Sequence, residues 1–353
     1  MERIIQKLFL KLITGENGIT LRKRAPCADD LREKLGDIKQ LGLYLHIPFC
    51  RQICPYCPYN KELLNETTVG CYVWAVRKEI DFYASLLAGR QITSLYIGGG
   101  TPTTMLGRGL AEILRHMQAV FHIQGPVHLE SHPNDLSAGN LDAILSLGIR
   151  HLSIGIEALQ DRHLRFLRRP YTVEKAKEVL QRSVGRGFEC VNADVMFALP
   201  DQTGKEIEET GRALVELGVD QVAAYLNDVF YINTFRVSEY IDAWKKDQPA
   251  IALWLDLSER MQRAGWLYWR VYETAFRKAD YMDRFGNDFN ESYSGWLKLM
   301  AMLGFLKDDG ERIVLSDRGA FWLHAFEDMF SIHYINRLWG VSTRDPWPEQ
   351  VLL

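Results

Sequence analysis

The sequence predicts an α/β protein: a partial, three-quarter (β/α)6 barrel followed by a small α+β cap. Three observations lead there. Short apolar runs rich in β-branched and aromatic residues alternate with longer helical patterns from residue 43 to about 227. Residue types suited to ligand binding recur just after these runs, where α/β barrels assemble their sites. The C-terminal stretch from about 295 then changes character and reads helix, short hairpin, helix.

The strands expected are Leu43–Ile47, Ser94–Gly98, Val127–Ser131, His151–Gly155, Cys190–Met196 and Gln221–Leu226. Between them the pattern gives helices near Thr67–Leu87, Arg108–Phe121, Ala138–Leu147, Val173–Arg186 and Lys205–Leu217, with Gly148, the Gly185-Arg-Gly187 turn and Gly218 as stop signals. Successive parallel βα units wind right-handed with helices outside. Six units fall short of a closed eight-stranded barrel, hence a partial one.

Residues 1–40 read as an N-terminal helical extension, 41–230 as the barrel, and 231–353 as a substrate-facing cap region. The start, Met1 to Ile13, is a short amphipathic stretch without a small-residue cleavage site, so a surface helix is expected there and not a signal peptide. Near the other end, Trp296–Leu303 reads as helix, Gly304–Leu315 as a hairpin around Asp309-Gly310, and Arg318–Leu338 as helix. That order is winged-helix-like. Trp244, Trp254, Trp266, Tyr268, Trp269 and Tyr272 make the middle region dense in aromatics, which serve most often as core anchors.

Composition fits a cytoplasmic enzyme. The chain has 353 residues, 47% hydrophobic and 25% charged, with a net charge of -3. A charge so near zero, without a basic stripe, gives no sign of a nucleic-acid partner. No run approaches the roughly 18 apolar residues of a membrane span.

The chemistry starts in Tyr44-Leu-His-Ile-Pro-Phe-Cys50-Arg-Gln-Ile-Cys54-Pro-Tyr-Cys57. The spacing C-x3-C-x2-C offers three thiolates from one loop. A four-iron cluster is usually held by four thiolates, so three leave one iron open to a chelating small molecule. A zinc site would ask for a second ligand pair, and His46 lies in the strand before the loop. A disulfide suits a secreted chain better. Cys27, Cys71 and Cys190 are isolated. After the second strand comes Gly98-Gly-Gly-Thr-Pro-Thr103, where absent Cβ atoms let backbone approach a ligand. Glu130, Glu157 and Asp194 place carboxylates at the ends of strands three, four and five, and Arg169 follows strand four. Carboxylates facing an interior are costly unless paired or bound; ligand contact and structural ion pairing both remain open for each.

The cysteine loop resembles the signature loop of the radical S-adenosylmethionine (SAM) enzymes. The resemblance implies that Cys50, Cys54 and Cys57 hold a [4Fe–4S] cluster and that SAM chelates the fourth iron. One electron then cleaves SAM to a 5′-deoxyadenosyl radical. Within that superfamily, Tyr-x-His-Ile-Pro-Phe-Cys, Pro58-Tyr-Asn-Lys61, Gly-Gly-Gly-Thr-Pro-Thr, Leu199-Pro-Asp-Gln-Thr203 and Val314-Leu-Ser-Asp-Arg-Gly319 resemble the oxygen-independent coproporphyrinogen III oxidase (dehydrogenase) family. The likeness covers residues 41 to about 228 and returns near 299–338. It implies that Tyr44, Gly99, Gly100, Thr101, Glu130, Arg169 and Asp194 contact SAM. Glu157 stands where the family typically has glutamine. Tyr59 stands where its porphyrinogen oxidases carry a fourth cysteine, and the segment 225–299 is shorter than theirs. The implied partners are a small-molecule or tetrapyrrole substrate and an electron donor such as flavodoxin or ferredoxin. Decarboxylation of a porphyrinogen, radical methylation or alkyl transfer, and heme trafficking are the competing outcomes.

Overall fold

The computed structural model describes residues 20–23, 28–35, 38–55, 57, 59–196, 199–220, 229–234, 236–256, 258–272, 274–323, 341, 344–345 and 347–352. They form two compact units. One holds the described residues between 28 and 220 together with 236–250; the other holds 20–23, 229–234 and those from 251 onward.

The first unit is built on a five-stranded sheet whose strands neighbour one another in chain order. We number them β1 (Gln40–Ile47), β2 (Gln91–Gly99), β3 (Val127–Ser131), β4 (His151–Glu157) and β5 (Cys190–Val195). Every pairing is parallel. The crossovers carry helices α1 (Glu66–Leu86), α2 (Leu110–Val120), α3 (Ala138–Ser146), the short α4 (Asp161–Phe166) and α5 (Val173–Val184), and α6 (Gly204–Glu216) follows β5. This is the expected partial barrel, with element ends within three residues of the sequence reading. The sixth strand, Gln221–Leu226, and the N-terminal helix lie outside the described residues.

Side-chain parity shows how the sheet is used. Parallel strands covered on both faces read as continuous apolar runs. Here each strand alternates instead. Leu45, Ile47, Leu95, Ile97, Leu129, Leu152, Ile154 and Val191 are buried, as are the helix residues Val73, Val76, Ile113, Leu114, Ile144, Val179 and Leu180. Each such side chain contributes about 1.5–3 kcal/mol relative to exposure. The opposite parity is polar and runs in register. Tyr44, Tyr96, His128, His151 and Cys190 form one row, and Gly98, Glu130, Ser153 and Asn192 the next. The polar face is the interior of the partial barrel.

The compact units do not follow the sequence boundaries at 40 and 230. The helix Ala28–Leu35 belongs with the barrel, where Leu31 is buried and the Leu35 carbonyl accepts from Arg90 Nη2 at 2.8 Å. So does α7 (Val237–Lys245), where Tyr240 packs on Tyr72 and Trp244 on Phe82, each at 5.8 Å between ring centroids. Trp244 is therefore a core anchor of the barrel unit.

The second unit has an antiparallel sheet ordered Gln350–Leu352, Thr20–Arg22, Ile251–Asp256, Val229–Asn233. A second, three-stranded sheet pairs the hairpin Leu306–Asp308 and Arg312–Leu315 with Ala275–Arg277. The helix Phe289–Met302 is kinked at Tyr293, whose backbone is non-helical (φ -128°, ψ 23°), so the helix expected at Trp296–Leu303 is its second part. The Asp288 carboxylate caps the first part by accepting from the Glu291 N–H at 3.0 Å. Residues 317–323 are helical, and the rest of the last expected helix lies outside the described residues. Tyr281, Phe289, Trp296, Leu297 and Ile313 are buried together with Trp266 packed against them, so these aromatics fill a core.

Candidate active site

The thiol loop is anchored at its base. Beyond β1 the chain makes a two-residue parallel pairing, Phe49–Cys50 with Glu62–Leu63. The Leu64 N–H donates to the Cys50 carbonyl at 2.9 Å, so residues 51–61 leave and return at one place. Cys50 is buried, Cys54 and Cys57 are half-buried, and the Cys57 N–H donates to the Cys54 carbonyl at 3.3 Å. Two groups from other elements donate toward sulfur: Thr101 Oγ1 to Cys50 and Arg169 Nη1 to Cys54, each at 3.5 Å. Burial pushes the Cys50 thiol up, and the Thr101 hydroxyl opposes that rise in part.

The glycine loop lies directly against the cysteines. The Gly100 N–H donates to the Ile47 carbonyl at 2.7 Å and the Thr101 N–H to the Phe49 carbonyl at 2.9 Å. A Cβ on Gly100 would stand 2.8 Å from the Pro48 oxygen and 2.9 Å from Cys50 Sγ. Gly99 has φ +119°, and a Cβ there would meet His46 at 2.7 Å. Glycine is needed at both because backbone passes where no side chain fits.

The carboxylates line the next strand ends. Glu130 Oε2 accepts from the Gly99 N–H at 2.9 Å, and burial raises the carboxyl above its ordinary range. Asp194 accepts from Ser153 Oγ at 2.9 Å and Asn192 Nδ2 at 2.7 Å, and burial raises it too. Both sit in a setting that would welcome a cation or a hydroxyl donor. Arg169 donates to the Tyr171 phenol oxygen at 2.8 Å and to the Gly155 carbonyl at 2.6 Å. It also faces Glu157 at 3.4 Å, with side chains only 7% and 15% exposed. Glu157 has φ +64° just past a register shift in the β4–β5 pairing, where it still pairs with Val195. That left-handed backbone turns its carboxylate back to the arginine.

Contacts and charge influences therefore link the sequence-selected residues in a chain. Cys50, Gly100 and Thr101 meet at one point; Gly99 meets Glu130; Glu130 feels Asp194, and Asp194 feels Arg169. Arg169 joins Glu157 and Cys54. Tyr44, 57% exposed, reaches the group through the field of Glu130 and stacks on Tyr96 at 6.0 Å. Cys71 lies on α1 and Cys190 at the opposite end of β5 from Asp194, both away from the loop; Cys27 lies outside the described residues.

Sequence reasoning missed several members. His46 bonds the Asn60 carbonyl through Nε2 at 2.9 Å, which makes Nε2 the donor and leaves Nδ1 to accept from the Tyr44 hydroxyl at 3.3 Å. Burial lowers its pKa and keeps the ring neutral. Ser153, Asn192 and Tyr96 are polar partners of the carboxylates, and they lie two residues back from Gly155, Asp194 and Gly98 on their strands. Burial raises the Tyr59 phenol, and the charges of Glu130, Cys57, Asp194 and Glu157 add to the rise, so this residue of the thiol loop shares the field of the group.

Known proteins resemble this arrangement. Residues 44–214 match the Radical SAM superfamily. Heme chaperone HemW of Bacillus subtilis (strain 168) is 31% identical over 188 residues, 52% of this chain and 49% of that protein. The oxygen-independent coproporphyrinogen III oxidase of Paracoccus denitrificans (strain Pd 1222) is 29% identical over 189 residues, 52% of this chain and 42% of that protein. The chain thus matches about half the length of its curated relatives, or less. Among solved structures, coproporphyrinogen III oxidase (HemN) from Escherichia coli superposes with a TM-score of 0.75 at 18% identity, covering 88% of this chain and 94% of that one. The family match implies a [4Fe–4S] cluster and SAM as cofactors. With its parallel sheet, three-thiol loop and glycine turn, the segment 44–214 is a radical SAM domain.

Proposed function

We propose that this chain is a SAM-cleaving radical enzyme acting on an organic substrate of porphyrin or heme metabolism. In this reading Cys50, Cys54 and Cys57 hold the cluster, and Tyr44, Gly99, Gly100, Thr101, Glu130, Glu157, Arg169 and Asp194 hold SAM. The observation that carries it is the joining of a three-thiol loop to a side-chain-free backbone turn, with Thr101 and Arg169 each donating to a thiol.

The donor set fits a cluster better than a lone ion. Among the described residues no three His, Cys, Asp or Glu side chains are gathered to hold one metal ion. A zinc centre with bonds of about 2.3 Å would need its sulfurs within about 4 Å of each other. A four-iron cube spreads its thiolates, one to each iron. When bound, cluster and SAM supply the one-electron cleavage that yields a hydrogen-abstracting carbon radical. The chain's own residues bind and orient. The Asp194 carboxylate can accept from vicinal hydroxyls, Glu130 can neutralise an amino group beside Gly99, and the Arg169 fork suits a carboxylate. Glu157 offsets part of the Arg169 charge, so that fork is held in place before any ligand arrives.

A second reading, heme trafficking, is supported by the relatives described as heme chaperones and by Tyr59 at the fourth-cysteine position. One anaerobic experiment separates the outcomes. Reconstituted protein is incubated with SAM, dithionite and coproporphyrinogen III, then with heme alone. Decarboxylated product with 5′-deoxyadenosine supports the oxidase, a mass gain of one methyl supports alkyl transfer, and heme retention without product supports trafficking. Absence of both cluster and SAM cleavage would overturn the proposal.

A further inference from the structure

We infer that α4 and the tip of the thiol loop form a docking surface for an acidic one-electron carrier protein, centred on Ile53, Arg165, Phe166 and Arg168. The inference rests on the cluster reading of the three cysteines.

The place comes first. Gln52 Nε2 donates to the Arg168 carbonyl at 3.0 Å, and the following residue, Arg169, donates to Cys54 Sγ at 3.5 Å. The end of α4 is thereby stitched to the cysteine loop, and Ile53 lies between the two stitched positions. Electron transfer is short-ranged, so a carrier must sit where this loop meets solvent.

The surface has the wrong chemistry for inert solvent contact. Ile53 is 40% and Phe166 59% exposed, although Leu164 and Leu167 on either side of Phe166 are buried. The helix has already met its need for apolar burial, so an outward Phe166 serves no packing role. Charge tells the same story. The arginines at the base of the thiol loop and on the same helix are neutralised, Arg51 by Asp135 and Arg162 by Glu206. Arg165 and Arg168 are exposed and have no ion-pair partner among the described residues. Unneutralised arginines around an exposed aromatic are the composition of a protein interface, and their sign selects an acidic partner. Transfer complexes are small and transient, which this compact patch matches. In the step itself the carrier is oxidised by one electron, the cluster gains that electron, and no proton or bond moves.

The test uses the full chain with its cluster reconstituted, an acidic flavodoxin and a [2Fe–2S] ferredoxin as probes, and dithionite as a carrier-free reductant. Titration calorimetry should show binding of at least one probe to wild type that weakens with added salt. Arg165→Glu combined with Arg168→Glu should weaken it by about tenfold or more, and Phe166→Ser should slow probe oxidation in stopped flow. Dithionite-driven 5′-deoxyadenosine formation should stay within about twofold in both, and Arg115→Glu on α2 should change nothing. Binding indifferent to the double reversal, or neither probe binding wild type, overturns the docking surface while leaving the cluster reading intact. Protein that holds no cluster and cleaves no SAM with dithionite overturns both.

Discussion

Residue identity at the site was legible wherever chemistry needs an unusual residue type. Thiolates at C-x3-C-x2-C spacing and glycines that admit no Cβ cannot be replaced by generic polar residues, so sequence exposes them. Their polar supports were not legible: Ser153, Asn192 and Tyr96 are ordinary strand residues until the register sets them beside Asp194 and Glu130. Changing any one of Cys50, Cys54 or Cys57 to Ala should abolish the cluster, read by iron and sulfide analysis, while Cys71→Ala and Cys190→Ala retain it. Gly100→Ala should also lower iron content, because its methyl would crowd Cys50 Sγ and a backbone carbonyl that cannot retreat. Asp194→Asn and Arg169→Ala address SAM. Losing a charged hydrogen bond costs about 1.5–3 kcal/mol, roughly ten- to hundredfold in affinity. The SAM dissociation constant should rise by that factor with Asp194→Asn at unchanged iron content. Loss of thermal stability without a binding defect would mark these groups as structural.

Elements were read well in the barrel because period-2 and period-3.6 patterns alternate there with clear stops. Kinks and long-range packing were less legible. Tyr293 breaks the helical backbone inside Phe289–Met302 and sets off a first turn capped by Asp288, and α7 joins the barrel unit through Tyr240 and Trp244, which no local pattern shows. Caps also permit a prediction. At the start of α6, Thr203 Oγ1 accepts from the Glu206 N–H at 3.3 Å while Glu206 Oε2 accepts from the Thr203 N–H at 2.9 Å, a reciprocal capping box. Glu206 is further held by Arg162, whose hydrogen bond is the main reason its carboxyl lies low, at about 2. Thr203→Ala should cost about 1 kcal/mol of unfolding free energy in urea. A change near zero would mean that the α6 terminus is not ordered by its cap.

At the scale of the whole molecule, a barrel with a polar interior must keep uncharged the buried groups whose hydrogen bonds need the neutral form. His132, at the end of β3, is the clearest case. Its Nδ1 accepts from the Asn134 N–H at 3.2 Å and so must stay unprotonated, and burial together with the Arg169 charge pushes its pKa down to about 4 from 6.5. The unfolded chain takes up this proton first as pH falls. The contribution to stability is therefore complete above about pH 6.5 and lost progressively toward pH 4, and a shift of this size is worth on the order of 3 kcal/mol. Glu130 and Asp194 act in the opposite sense: burial raises both carboxyls, so protonation relieves a cost as pH falls. Bulk acid stability mixes these terms, and a substitution separates them. His132→Asn keeps an acceptor for the Asn134 N–H and removes the titration. The unfolding free energies of wild type and His132→Asn, measured from pH 7 to pH 4, should converge or cross as wild type loses about 3 kcal/mol more. Parallel curves would show that His132 is protonated as easily in the folded protein as in the unfolded one.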